Sequence, residues 1–180
     1  MTKQVVSLDT ETTGTDPLRV QLVGMSFCVA ENQAFYVPVP QDQVEAQRIV
    51  NLFRPVLEYP HSLKVGQNIK YDMLVLTRYG VQLAGPLFDT MIAHYLLQPE
   101  LRHNMDYLAE VYLRYQTIHI DALIGPKGKN QRNMADLPPA DVYLYACEDA
   151  DVTLKLKHIL ERELTEAGMT TLFTDVEMPL

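Results

Sequence analysis

A chain of 180 residues with 47% apolar and 21% charged residues is long enough for one domain with a full hydrophobic core, and its composition is neither disordered nor fibrous. Its net charge of −8, from 15 basic and 23 acidic residues, argues against a simple electrostatic nucleic-acid binder with a basic face, yet leaves room for an enzyme that grips one strand end through metals. No apolar run reaches the roughly 18 residues that span a bilayer, the N-terminus lacks a signal-peptide core, and Cys28 and Cys147 have no metal-like spacing, so the chain reads as a cytoplasmic protein with reduced thiols and no membrane partner.

In chain order, Val5 to Leu8 is a β-branched run that predicts a core strand ending at Asp9. Gln21 to Ala30 and Ala34 to Val39 predict two more strands joined by the turn-like Glu31-Asn32-Gln33, an antiparallel meander. Val44, Ile49, Val50, Phe53 and Leu57 recur at helical spacing and predict a helix over Gln43 to Leu57. A short strand follows over Leu63 to Gly66, then a helix over Tyr71 to Tyr79 stopped by Gly80. Phe88 to Leu97 reads as a helix with Asp89 as its N-cap, and Met105 to Leu113 as another. Gln116 to Asp136 is a long irregular stretch of the kind that is mobile or functional. A last helix runs from about Ala140 to Ala167 and closes at Gly168. Strands first and helices afterwards imply a mixed α/β layer fold around one sheet.

Four acidic residues from three separated segments stand out: Asp9 and Glu11, Asp72, and Asp149. Carboxylates gathered without cations repel one another and raise their own pKa values, so such a cluster suggests divalent metals held against a phosphate. Oxygen-only ligands favour Mg²⁺ or Mn²⁺ over zinc. Asp9 and Glu11 are two apart, which on a strand puts both on one face. Asn68 either caps the helix after it or belongs to the site, and Asp72 lies in that helix's first turn, where the dipole favours an anion. Tyr145 and Asp149 are four apart on the last helix, so both project from one side; Glu148 and Asp151 lie nearby at other helical angles, so all three acids cannot share a pocket equally. The five histidines form no paired-ligand spacing, and the glycines form no phosphate-cradling loop.

Taken in order, DTET at 9–12, VGQNIKYD at 65–72 and YACEDADVTL at 145–154 resemble the three exonuclease motifs of the DEDD superfamily in its tyrosine variant. FDTM at 88–91, RHNMDYLAE at 102–110, GPKGKNQ at 125–131 and the terminal VEMPL are similar to the 3′–5′ proofreading domain of bacterial family A DNA polymerases. The resemblance implies an RNase H-like (DnaQ-like exonuclease) fold, a mixed five-stranded sheet flanked by helices. It implies an exonuclease domain over 1–172, with 173–180 beginning a linker into a polymerase domain in cis. It further implies two Mg²⁺ ions, replaceable by Mn²⁺, roughly 3.5–4 Å apart. Asp9, Glu11 and Asp149 would hold the first. Asp9 would bridge to the second, with Asp72 helping through water. Tyr145, helped by Glu11, would position the attacking water.

For the substrate, the 3′ end of single-stranded or frayed DNA, the resemblance implicates Thr13, Asn68 and Arg102. Lys127, Lys129 and Arg132 would follow the strand's backbone, although that loop reads equally as a solvated basic turn. The chain departs from the family pattern at Thr15, where an apolar wedge is common, with Leu18 nearby, and at Ile120, where an aromatic is common. The implied protein is a monomer in the bacterial cytoplasm, associated with the nucleoid. Two other functions stay open here: a catalytically silent module of a polymerase, and an RNA-trimming exonuclease.

Overall fold

The computed structural model describes residues 4–179. Five strands form one sheet in the order β3-β2-β1-β4-β5. The first three, β1 (Val5–Thr12), β2 (Leu22–Ala30) and β3 (Gln33–Pro38), make the expected antiparallel meander. Two short strands, β4 (Leu63–Gly66) and β5 (Leu87–Asp89), extend the sheet in parallel on the other side of β1. The helices are α1 (Gln43–Leu57), α2 (Ile69–Thr77), α3 (Thr90–Leu97), α4 (Met105–Leu108), α5 (Asp121–Ile124), α6 (Pro139–Glu166) and α7 (Thr170–Leu172). Among the described residues, no helix is long and apolar enough to cross a membrane.

Four local expectations shift. First, β1 does not end at Asp9; it pairs with β2 as far as Thr12 opposite Leu22, so both acids ride on a hydrogen-bonded strand. Second, Leu87–Asp89 is a strand rather than the start of a helix, because Lys64, Val65 and Gly66 of β4 offer it a parallel edge. Three residues are too few to show a period of two in sequence. Third, α2 begins at Ile69, two residues before Tyr71. Fourth, the helix expected through Leu113 widens after Leu108 into a π-type turn over Ala109–Leu113. The irregular stretch holds α5 and a single tight turn at Met134–Asp136, boxed by Asn133.

Alternation along β1 divides the molecule into two layers. Val6 and Leu8 face one way, into a core with Met25, Phe27, Val50, Leu57, Val75 and Leu76, which is the side of α1 and α2. Ser7, Asp9 and Glu11 face the other way. Their cross-strand partners on β2 are Cys28, Ser26 and Gly24, all small. Helix α6 packs on this side, meeting it with Ala150 and Leu154 against Cys28. Small side chains on both surfaces let the helix approach closely, and this brings an acid on α6 within reach of acids on β1. Gly24 in particular has no room for a side chain: a Cβ there would lie 2.3 Å from the Tyr36 ring, which fills the space opposite Glu11.

β4 carries a buried lysine. The Lys64 ammonium donates to the carbonyls of Tyr59, Ser62 and Ala84, and burial lowers its pKa. That clasp ties the approach to β4 to the approach to β5 and fixes the strand that delivers α2.

Phe173, expected as the first residue of a linker, is 2% exposed and lies 4.8 Å, centroid to centroid, from the ring of Phe88. It sits in a helical turn over Phe173–Glu177 and joins Val65, Leu156 and Leu160 in the second core. Replacing it tests whether the segment belongs to the domain. Phe173→Ala should lower stability in urea by about 3–5 kcal/mol, whereas an exposed linker residue would shift it by less than about 0.5 kcal/mol.

Candidate active site

Asp9, Glu11 and Asp149 offer carboxylate oxygens that all lie within 4.8 Å of one another. Two come from alternate positions of β1 and one from the face of α6 turned toward the sheet. Glu11 and Asp149 are buried and Asp9 is half-buried. Burial pushes Glu11 well above the usual carboxylate range, and the neighbouring Asp9 and Asp72 push it further. Asp149 is raised first by burial, then by Asp9 and Glu11. Burial likewise pushes Asp9 up, to about 6.

Asp72 reaches the same place from the opposite layer. The parallel pairing of β1 with β4 stops at Ser7 opposite Val65, which leaves the end of β1 without a strand on that side. The first turn of α2 fills the gap. Asp72 is 2% exposed and accepts a 2.6 Å hydrogen bond from the Thr10 hydroxyl, the residue between the two acids of β1. Burial and then Asp9 raise its pKa, and the bonds from Thr10 partly offset this. Four carboxylates therefore converge at the carboxyl end of the central strand, two from the strand and one from each layer.

Tyr145 lies one turn before Asp149 and is hydrogen-bonded to it. Burial and the charges of Asp149, Glu11 and Asp9 push its pKa far upward. It is a neutral phenol across the working pH range and orients groups rather than accepting protons. The other acids of α6 are engaged elsewhere, as their helical angles require. Glu148 accepts 2.6 Å bonds from the Tyr115 hydroxyl and the Ile118 N–H. Asp151 accepts from the Asn32 N–H and pairs with Lys155 at 2.6 Å.

A bare cluster of this kind is electrostatically unfavourable. One Glu11 oxygen (Oε1) is buried without any hydrogen-bond partner, although buried carboxylate oxygens are ordinarily bonded. Hard oxygen donors and an orphaned carboxylate oxygen suit a divalent cation such as Mg²⁺ or Mn²⁺. The residues fit that group.

The remaining sequence candidates stand apart from this cluster. The Thr13 hydroxyl accepts from the Gln21 N–H at 2.9 Å, and its carbonyl accepts from the Asn133 amide at 2.8 Å. Asn68 is exposed at the start of α2, with a left-handed backbone (φ 62°) and no side-chain cap. It is therefore not the cap of that helix. Arg102, Lys127 and Lys129 are exposed, as is Arg132, whose guanidinium reaches the Leu123 carbonyl. Thr15 is exposed, Leu18 is 67% exposed and Ile120 is 38% exposed.

Three residues near the acids escape sequence reasoning. Thr10 carries the bond to Asp72; only its place between two acids marks it. The Tyr71 hydroxyl bonds the Thr12 hydroxyl at 2.6 Å and the Gly14 carbonyl at 2.7 Å, tying α2 to the turn after β1. Tyr36, opposite Glu11 through Gly24, has its pKa raised by burial and by Glu11, and nothing in its strand singles it out. A cavity of about 680 Å³ lies along α6 among Tyr115, Leu144, Cys147 and Lys155, and none of the four site carboxylates lines it.

Known proteins resemble this chain in sequence and in fold. DNA polymerase I of Pseudomonas aeruginosa is 38% identical over 187 residues, covering 98% of this chain and 20% of that protein. DNA polymerase I of Borreliella burgdorferi is 32% identical over 177 residues, covering 97% and 19%. The chain thus spans about a fifth of the length of the curated relatives it matches. Among solved structures, NrnC of Brucella melitensis with bound Mg²⁺ superposes with a TM-score of 0.73 at 23% identity, covering 94% of this chain and 77% of that one. Pol1 of M. smegmatis, in complex with DNA primer-template and dNTP, gives 0.69 at 20% identity, covering 97% and 26%. At these identities the superpositions establish the fold, that of RNase H-like exonucleases. The family model of a 3′–5′ exonuclease matches residues 1–165, and with the polymerase relatives it establishes that the chain belongs to the 3′–5′ exonuclease family of DNA polymerase I and is a nuclease.

Proposed function

We propose that this domain hydrolyses the terminal phosphodiester at the 3′ end of single-stranded or frayed DNA, using two Mg²⁺ ions, and edits the product of a polymerase domain in the same chain. One observation carries the reading: three carboxylates within 4.8 Å, one with an unpartnered buried oxygen, beside a fourth buried aspartate. Asp9, Glu11 and Asp149 would hold one ion, and Asp9 with Asp72 the other. Such ions supply a nucleophile at neutral pH and stabilise charge on the leaving 3′ oxygen. Four negative carboxylates balance two divalent ions, so the loaded site accepts a phosphate without net repulsion.

The chain's own groups do the positioning. The Tyr145 phenol, kept protonated and tied to Asp149, orients the attacking water, and Glu11 helps from β1. Asn68, exposed at the head of α2 four residues before Asp72, braces the terminal nucleotide. Thr13 supports the turn that follows Glu11. Arg102, Lys127 and Lys129 contact the phosphate backbone upstream. With a net charge of −8, affinity for DNA rests on these few contacts and on the metals. With Thr15 exposed and Ile120 aliphatic, the grip on the end base is weak, which favours frayed ends over paired ones. A monomer in the bacterial cytoplasm completes the reading.

Digestion of a 5′-labelled, 3′-tailed duplex and of a matching RNA, each with Mg²⁺ and with EDTA, tests the substrate and metal together. The DNA tail should shorten to a ladder with Mg²⁺ and stay intact with EDTA; preferential loss of the RNA would sink the DNA reading. In the same assay Asp9→Ala and Asp149→Ala should lower the rate on the order of 10³-fold or more, since each removes several kcal/mol of charge stabilisation. Tyr145→Phe should slow it about 10- to 100-fold, the worth of one hydrogen bond to a charged group.

The acids also set a pH dependence for the metal-free protein. Their folded pKa values lie above the unfolded ones, so the folded state binds more protons and loses stability as pH rises through the range from about 4 to 6 and beyond. Metal-free protein should melt lower at pH 8 than at pH 5. Mg²⁺ should restore the loss at pH 8, and Asp9→Asn should raise the metal-free melting temperature at pH 8, by about 2–4 °C per kcal/mol of repulsion removed. A flat profile in differential scanning calorimetry would refute the coupling.

A further inference from the structure

Asp89 ends β5 and begins α3. It is 1% exposed. As the α3 cap, its Oδ1 accepts the N–H groups of Met91 at 2.8 Å and Ile92 at 3.3 Å. The same carboxylate also accepts the Asn68 N–H at 3.1 Å through Oδ1 and the Ile69 N–H at 2.8 Å through Oδ2. Those are the first amides of α2. One buried carboxylate therefore caps two helices, each with its positive end turned toward it. Helix α2 has no cap of its own, since the left-handed Asn68 makes none with its side chain. The first turn of α2 carries Asp72, three residues beyond Ile69.

We propose that Asp89 is a positioning residue for the metal site: by holding the amides of Asn68 and Ile69 it sets the start of α2, and with it the placement of the Asp72 carboxylate at the end of β1. Asp89 touches neither substrate nor cation. The inference rests on the reading of Asp72 as a metal ligand. Asp72 is anchored at one end by Thr10, and the backbone that carries it is anchored at the other by Asp89. A hydrogen bond to Thr10 alone fixes the carboxylate without fixing the helix behind it.

The two oxygens do unequal work, and this separates positioning from folding. Three N–H groups converge on Oδ1 and one on Oδ2. Asp89→Asn, keeping its oxygen at the Oδ1 position, retains the α3 cap and sets an NH₂ group against the Ile69 N–H, two donors facing. Asp89→Ser caps α3 through its hydroxyl and is too short to reach α2 as well.

Hydrogen exchange on metal-free protein and Mn²⁺ titration by calorimetry test the proposal together. In both variants the amides of residues 69–73 should exchange at least about 10-fold faster than in the unaltered protein, while those of β1 keep their rates. Affinity for one of two Mn²⁺ ions should fall about 10-fold or more. Asp42→Asn, which weakens the exposed cap of α1, should leave Mn²⁺ binding unchanged. Unaltered exchange at 69–73, or unaltered Mn²⁺ affinity in the Asp89 variants, overturns the proposal alone. Loss of protection throughout the sheet in both variants also overturns it, by making Asp89 a folding residue. If the unaltered protein binds no Mn²⁺, the metal reading itself falls and takes this inference with it.

Discussion

Mutual repulsion among four carboxylates, buried at the end of one strand, is the constraint around which the domain is arranged. Desolvation drives every group in that cluster toward its neutral form, and neighbouring carboxylates push Glu11, Asp72 and Asp149 further. A fold that holds such a cluster together must therefore oppose it with bonds that are not themselves part of the repulsion. Those bonds are visible. Thr10 donates to Asp72, Tyr145 to Asp149, and the sheet hydrogen bonds of β1 carry Asp9 and Glu11 out to the register shift beside Thr12. Among the described residues three buried side-chain oxygens lack a partner, the Ser7 and Ser26 hydroxyls and one carboxylate oxygen, Glu11 Oε1. The site is thus stiff where its ligands attach and unsatisfied where a cation belongs.

The topology makes this possible at low cost to the core. Central strand β1 is flanked by a long antiparallel partner on one side and a short parallel one on the other. The long partner keeps the acids in register. The short one stops early and leaves a gap into which α2 delivers Asp72. Apolar residues at even positions of β1 fill the layer beneath α1 and α2, while the small residues opposite the acids admit α6. Packing and chemistry use alternate residues of the same strand. Substitutions in the core and in the site can therefore be read separately, except at Thr10, which faces the core layer and bonds the site.

Much of this was legible in the chain. Asp-x-Glu on a strand fixes one face by a period of two, and Tyr145 with Asp149 fixes another by one helical turn; neither needs tertiary information. The meander, α1 and α6 follow from local periodicity and appear close to where it puts them. Short elements were not legible. β5 exists because β4 offers it an edge, and α2 starts early because a carboxylate twenty residues away in sequence receives its first amide. Of the two readings left open for Asn68, cap or site, the cap is ruled out for the same reason: Asp89 receives the first amides of α2, and Asn68 is left-handed and exposed.

The sequence by itself determined which residue types are available for chemistry, their spacing within each segment, and the family to which the ordered motifs belong. These are local or additive properties, set by helical and strand geometry. Only the tertiary structure decided that the three segments meet, that Asp72 arrives from the opposite layer, that Phe173 belongs to the core, and that Glu11 is left without a partner. Those depend on how closely α6 packs on the sheet and where β4 stops pairing. Both are outcomes of many weak contacts between residues far apart in the chain, and no single segment encodes them.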